Sequence, residues 1–175
     1  PAERKFPCLH PDSFGGVLIE LIEGIPKWVA DSALPTELQK PVQPQGIGTE
    51  GILEVGIFVK NLEIATASYA KVLLSEPLEM AEMKSFPSRI RVFRVGNVDL
   101  KLMEIKDKKD DSCIQFGKNR PGLNYVTLKV ESLNKAISYL KRKEIDFVEN
   151  PSAPFYDSKC VFIQSQELSR ILIFL

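Results

Sequence analysis

The sequence predicts an α+β chain: two successive βαβββ modules that curl around a cleft, preceded by a β-hairpin of the kind that ends another such module. Three observations predict it. Cys8 to Leu21 aligns without a gap on Phe162 to Leu175, apolar on apolar at nearly every strand-like position. Val55, Val59, Leu62 and Ala65 recur in the same order as Val126, Val130, Leu133 and Ala136. Between these repeats, Pro26, Pro35, Pro41 and Pro44 break up the stretch from Gly24 to Gly51, because proline lacks the N–H that helices and ladders need. The expected division is therefore a terminal hairpin over residues 1–23, a proline-rich linker over 24–50 and a complete two-module domain over 51–175, with halves 51–107 and 122–175.

Composition narrows the function. With 44% hydrophobic and 26% charged residues, the chain reads as an ordinary globular protein able to bury a core. Lys plus Arg and Asp plus Glu are 23 each, which gives no basic footprint for a nucleic acid. The local run Lys141-Arg142-Lys143 ends a helix-like segment, where cations complement the helix dipole. No apolar run is long enough to cross a membrane. Cys8, Cys113 and Cys160 have no paired spacing, so neither a disulfide framework nor a zinc knuckle is indicated, and a cytoplasmic setting is expected. The chain opens Pro1-Ala2 inside what reads as the end of a domain, so a longer parent protein is expected.

Lys5–Leu9 and Val17–Ile22 are the first two strand candidates, joined by the turn-forming Pro11-Asp12-Ser13-Phe14-Gly15-Gly16. Such a hairpin cannot leave its apolar face and edges in water. It should pack on the domain's own sheet or on another copy of the chain, and homodimer formation or self-association through it is the expected outcome. In the linker, Ala33 to Lys40 suits a short helical turn, and Trp28, the only tryptophan, reads as an anchor onto the domain.

From Ile52 a strand alternates Leu53, Val55, Ile57 and Val59 with Glu54, Gly56, Phe58 and Lys60, the period of a strand with two different faces. Leu62–Leu74 follows as a helix. Strands are then expected at Leu78–Met83, Ile90–Val95 and Val98–Ile105, with a tight turn at Gly96-Asn97. The charged, Gly- and Pro-punctuated stretch from Lys106 to Pro121 connects the halves. The second half repeats the plan: a strand through Val126, a helix at Leu133–Lys143 capped by Ser132, and strands at Ile145–Val148, Cys160–Gln164 and Ile171–Leu175.

A tandem βαβββ pair of this length resembles the vicinal oxygen chelate superfamily, the glyoxalase I, bleomycin-resistance and extradiol dioxygenase group. The segment His10-Pro11-Asp12-Ser13-Phe14-Gly15-Gly16-Val17-Leu18-Ile19-Glu20-Leu21 is similar to the end of a methylmalonyl-CoA epimerase, where such a turn precedes a strand bearing the last metal-binding glutamate. The resemblance implies a cleft in which the first and last strands of both halves hold a divalent ion. That ion would act as a Lewis acid on neighbouring substrate oxygens. It makes Glu20 a metal ligand only with a missing upstream module, and it makes His10, the only histidine, a turn residue more readily than a ligand.

Carried onto residues 51–175, the resemblance places the four ligand positions at Glu54, Lys101, Tyr125 and Phe174, with Asn124 beside Tyr125. Glu54 alone among them suits a metal, so no cofactor is expected here, and a divalent metal would belong to the parent protein. Glu104 lies three residues past Lys101 and so faces the other way. Two readings of the cleft stay open. Glu54 and Lys101 form a salt bridge on the floor of a degenerate metal site, in a domain that is architectural or substrate-supporting. Alternatively Glu54, Phe58, Lys101, Tyr125 and Phe174 line a metal-free small-molecule binding cleft of the bleomycin-resistance type. Whether the chain is an enzyme is left open; an active parent would be a metal-dependent isomerase or lyase.

Overall fold

The strands that open the two modules pair with each other at the centre of one continuous sheet. A computed structural model describes residues 8–9, 11–14, 16–17, 19–20, 46–79, 88–106, 121–150, 159–163 and 172–175. In chain order its elements are β1 (Cys8–Leu9), a 3-10 turn (Pro11–Phe14), β2 (Ile19–Glu20), β3 (Thr49–Phe58), α1 (Leu62–Leu73), β4 (Leu78–Glu79), β5 (Ser88–Val95) and β6 (Val98–Ile105). The second module supplies β7 (Gly122–Val130), α2 (Leu133–Arg142), β8 (Val148–Asn150), β9 (Cys160–Ile163) and β10 (Leu172–Phe174). The eight-stranded sheet runs β4-β5-β6-β3-β7-β10-β9-β8. Within each module the opening strand lies parallel to the closing one, β3 with β6 and β7 with β10, and the remaining pairs are antiparallel. The antiparallel β3–β7 seam joins the halves, with Val55 opposite Val126. The fold is thus α+β with a mixed, curled sheet and a helix from each module.

Local chemistry explains both helices. Asn61 has extended backbone angles and its side chain accepts the Ile64 N–H at 2.9 Å, which caps α1. Ser132 does the same for α2, accepting the Lys135 N–H at 3.4 Å. Beneath α1, Leu62, Ala65 and Tyr69 pack with Ile57, Val59, Phe93 and Leu102. Beneath α2, Ala136 and Leu140 pack with Val161, Ile163 and Leu175. Both helices cover the face that Val55 and Val126 share, so the opposite face carries Glu54, Gly56, Phe58, Lys101, Tyr125 and Thr127. At the other end of α2, Arg142 stacks over Tyr139 and Lys141 lies over Phe147, so the basic run serves the helix end. No helix among the described residues is long and apolar enough to cross a membrane.

Several expected boundaries move. β3 begins at Thr49, inside the expected linker, because Thr49 pairs with Val130 and the Gly48 carbonyl accepts the Glu131 N–H at 2.9 Å. Register shifts near Gly51, with φ of 151°, let the strand carry this extension. The strand expected at Ile145–Val148 is instead β8 at Val148–Asn150. The chain leaving α2 turns through Glu144 in the left-handed region, and the Ile145 N–H bonds back to the Leu140 carbonyl at 3.1 Å. The Gly96-Asn97 turn is present, with Val95 paired to Val98 and Gly96 at a φ of 62°. His10, Trp28, the Ala33 to Lys40 segment, Cys113, and residues 80–83 of the strand expected at Leu78–Met83 lie outside the described residues. So do residues 107–120 of the inter-module connection.

The amino-terminal hairpin packs on α1 and on the sheet residues beneath it, and its Gly16 lies against Pro121 and Gly122 at the start of β7. Its register repeats that of the carboxy-terminal hairpin. Cys8 pairs with Glu20 and Leu9 with Ile19, as Phe162 pairs with Phe174 and Ile163 with Ile173. α1 can accept this second cover because it is apolar on more than one side, its charged residues being Glu63 and Lys71. Phe14 from the hairpin turn is buried edge-on against Tyr69, with ring centroids 5.1 Å apart and an interplanar angle of 87°. The Tyr69 hydroxyl donates to the Phe14 carbonyl at 3.2 Å, and Val17 and Ile19 pack around the same cluster.

Burial pushes the Tyr69 phenol up to about 12 from its ordinary 10.0. The fold keeps the neutral form, so this stabilisation is whole below the ordinary value and is lost as pH climbs towards the raised one. Tyr69→Phe should cost about 1 kcal/mol at neutral pH and loosen hydrogen-exchange protection at Leu9 and Ile19. The stability gap between wild type and variant should then narrow as alkaline unfolding curves pass through the window from 10.0 to about 12. A gap that stays constant across that window would contradict the role given to Tyr69.

Candidate functional site

On the face away from the helices, Glu54, Lys101 and Tyr125 converge from β3, β6 and β7. β3 lies between the other two strands, so a carboxylate at its centre is reached from both sides. Lys101 faces Gly56 in the parallel pairing and Tyr125 faces Gly56 in the antiparallel one. The Lys101 ammonium stands 2.5 Å from one Glu54 carboxylate oxygen, and the Tyr125 hydroxyl donates to the other. All three side chains are nearly closed to solvent, at 2% exposure for Glu54, 4% for Lys101 and 1% for Tyr125. Ion pairing is what makes this burial tolerable, because an unmatched carboxylate in such surroundings is strongly unfavourable.

Sequence reasoning missed Gly56, on which the arrangement rests. A methyl group there would sit 2.0 Å from the Cε1 atom of Tyr125 and 2.3 Å from its Cζ atom. Only a residue without a side chain lets the tyrosine ring cross β3 and reach Glu54. A glycine amid the alternating β3 pattern was the available signal. Thr127, buried opposite Glu54 in the β3–β7 register, also belongs to this face.

The other candidates fall as follows. Phe58 is buried on β3 opposite Met103 and Gly122. Asn124 is buried, its side-chain amide donating to the Gly122 carbonyl at 3.0 Å. Phe174 is placed by its backbone opposite Thr127 and Phe162, and Glu20 opposite Cys8. The side chains of Phe174 and Glu20 lie outside the described residues. Glu104 faces away from Glu54 and pairs with Arg89, which also bonds Glu63 of α1 at 3.0 Å. Among the described residues, no three His, Cys, Asp or Glu side chains form a metal-binding group. The Cys160 thiol is buried and pushed up by desolvation, which makes it a poor nucleophile.

A pair of βαβββ modules with parallel first and last strands, curled into one mixed sheet, defines the vicinal oxygen chelate fold. Solved structures of that fold match this chain. Methylmalonyl-CoA epimerase from Mycobacterium tuberculosis superposes with a TM-score of 0.60 at 20% identity, covering 73% of this chain and 87% of the other. A hypothetical protein from Bacillus halodurans C-125 gives 0.58 at 19% identity, over 70% of this chain and 90% of that one. A Streptomyces coelicolor methylmalonyl-CoA epimerase in complex with 2-nitronate-propionyl-CoA gives 0.57 at 14% identity, over 73% and 94%. At such identities the likeness is one of fold. No protein-family model and no curated protein matches the sequence.

Removing one member of the buried cluster should be worse than removing all of it. Lys101→Met strands the Glu54 charge and should cost about 3–5 kcal/mol in urea unfolding. The triple change Glu54→Leu, Lys101→Met, Tyr125→Phe should cost less than Lys101→Met alone, since the buried charges are removed together. Gly56→Ala should displace Tyr125 and destabilise by roughly 1–3 kcal/mol, with an altered near-ultraviolet tyrosine signal. A Gly56→Ala protein with wild-type stability and spectrum would rule out the ring's crossing of β3.

Proposed function

We propose that residues 51–175 form a glyoxalase- or methylmalonyl-CoA-epimerase-like domain with a degenerate metal site, serving an architectural or substrate-supporting role within a longer tandem protein. The observation that carries this reading is the Lys101 ammonium seated on the Glu54 carboxylate. At the positions that the resemblance assigns to metal ligands stand a lysine, a tyrosine already bonded to Glu54, and a phenylalanine in sequence. A divalent ion would have to displace a covalently tethered cation from a buried carboxylate and then find few hard donors. Chemistry that needs a Lewis acid at this cleft therefore has no support from its residues.

In this reading the hairpin at residues 8–21 closes a separate module, Glu20 is the last metal ligand of that module, and catalysis belongs there. The reaction class is a metal-dependent isomerisation or lysis of a small acyl or 2-oxo compound. The metal-free binding alternative asks Tyr125 and Phe174, with Phe58 beside them, to wall an open cleft. Phe58 is 3% exposed and Tyr125 1%, which favours the architectural role.

Elemental analysis of the purified chain should find no stoichiometric zinc, cobalt, manganese or magnesium, and turnover of methylmalonyl-CoA or a glutathione hemithioacetal should be negligible. A stoichiometric divalent ion that disappears in Glu54→Ala would overturn the degenerate-site reading and restore the domain as an enzyme.

A further inference from the structure

Two lysine–carboxylate contacts in this protein are alike in distance and opposite in surroundings. Lys129 stands 2.7 Å from Glu50, with side-chain exposures of 64% and 43%. Lys101 stands 2.5 Å from Glu54, with exposures of 5% and 2%. At the first pair water competes for both groups, and such a contact contributes little. At the second, an amine nitrogen and a carboxyl group are held together away from water, which is the arrangement that an intramolecular condensation needs.

The flanking strands set up both ends of that reaction. In the parallel pairing Glu54 lies opposite Asp99 and Lys101 opposite Gly56, so the two side chains leave neighbouring strands on one face, two residues apart. The lysine nitrogen reaches the Oε2 atom of Glu54, while the Tyr125 hydroxyl donates to the other oxygen, Oε1. A donor placed on the oxygen that takes up charge during attack stabilises the tetrahedral intermediate. Tyr125 is 1% exposed, so this donor is held in place before any reaction begins.

We propose that Glu54 and Lys101 become joined by an isopeptide bond, which ties the opening strand of the first module covalently to its closing strand. A proton passes from the Lys101 ammonium to Oε2 and leaves a neutral amine beside a neutral carboxylic acid. Burial disfavours the separated charges that this pair replaces. Nζ then attacks the Glu54 carboxyl carbon, and negative charge gathers on Oε1 against the Tyr125 hydroxyl. A second proton moves from the nitrogen to the Oε2 hydroxyl, the bond from carbon to Oε2 breaks, and water leaves as the amide forms. The same exclusion of water blocks the reverse hydrolysis. The proposal rests on the reading of this cluster as a site without a metal, because the carboxylate must be unliganded, and it gives the ion pair a covalent product.

Intact mass spectrometry of the purified full chain, denatured just before measurement, is the test. After standing folded at neutral pH the chain should be lighter by one water, and protease digestion should release a branched peptide joining the Glu54 and Lys101 segments. Lys101→Arg keeps the cation without the amine, so its mass should stay at the sequence value. Tyr125→Phe should slow the loss of water by about 100-fold or more. Glu50 and Lys129 should remain unlinked in the same digest. The proposal is overturned by a folded wild-type chain whose mass never leaves the sequence value, by water loss that persists in Lys101→Arg, or by branching at Lys129 instead. Metal content is read separately. An unmodified chain without a divalent ion refutes the amide alone and leaves the degenerate-site reading standing, whereas a stoichiometric ion lost in Glu54→Ala refutes both.

Discussion

A carboxylate buried in the middle of a sheet has to be matched, and in this protein the matching of Glu54 governs the surrounding structure. One partner comes from each neighbouring strand, Lys101 from β6 and Tyr125 from β7. The cluster therefore spans the parallel pairing inside the first module and the antiparallel seam between the modules. Gly56 is the steric condition for the Tyr125 contact, because the ring must pass over it. Buried ion pairs are often no more stabilising than apolar replacements, but they tolerate few alternatives to the observed register. A one-residue slip of β3 would turn Glu54 towards Phe93 and Leu102 on the helix face, where the described packing is apolar.

The sequence was most legible where one local rule decides the structure. Asn61 and Ser132 stand at the helix starts, and the second was recognisable as a cap beside its recurring Val130–Leu133 pattern. The Gly96-Asn97 turn and the parity that sends Glu104 away from Glu54 also follow from short-range geometry. The meeting of Glu54 with Lys101 was legible only through the ligand positions that the family resemblance implies, since residues 47 positions apart meet through the topology.

What escaped depended on tertiary contacts. β3 starts early because β7 is long enough to pair with Thr49, which the β3 residues alone do not announce. β8 starts late because α2 ends in a left-handed residue that folds Ile145 back onto the helix. The seat of the hairpin on α1 was hidden because Tyr69 reads as ordinary helix core until Phe14 is placed against it. Gly56 carried a visible signal, but its meaning depends on a tyrosine far away in sequence.

The parallel pairing of β3 with β6 also orders events during synthesis. Lys101 emerges from the ribosome with the rest of the first module, well before Tyr125. The charge on Glu54 is thus matched within the first module while the other edge of β3 still awaits a strand. A chain that has emerged only as far as β6 holds both members of the ion pair and one unfilled edge of β3, and β7 supplies both the missing strand and the phenol.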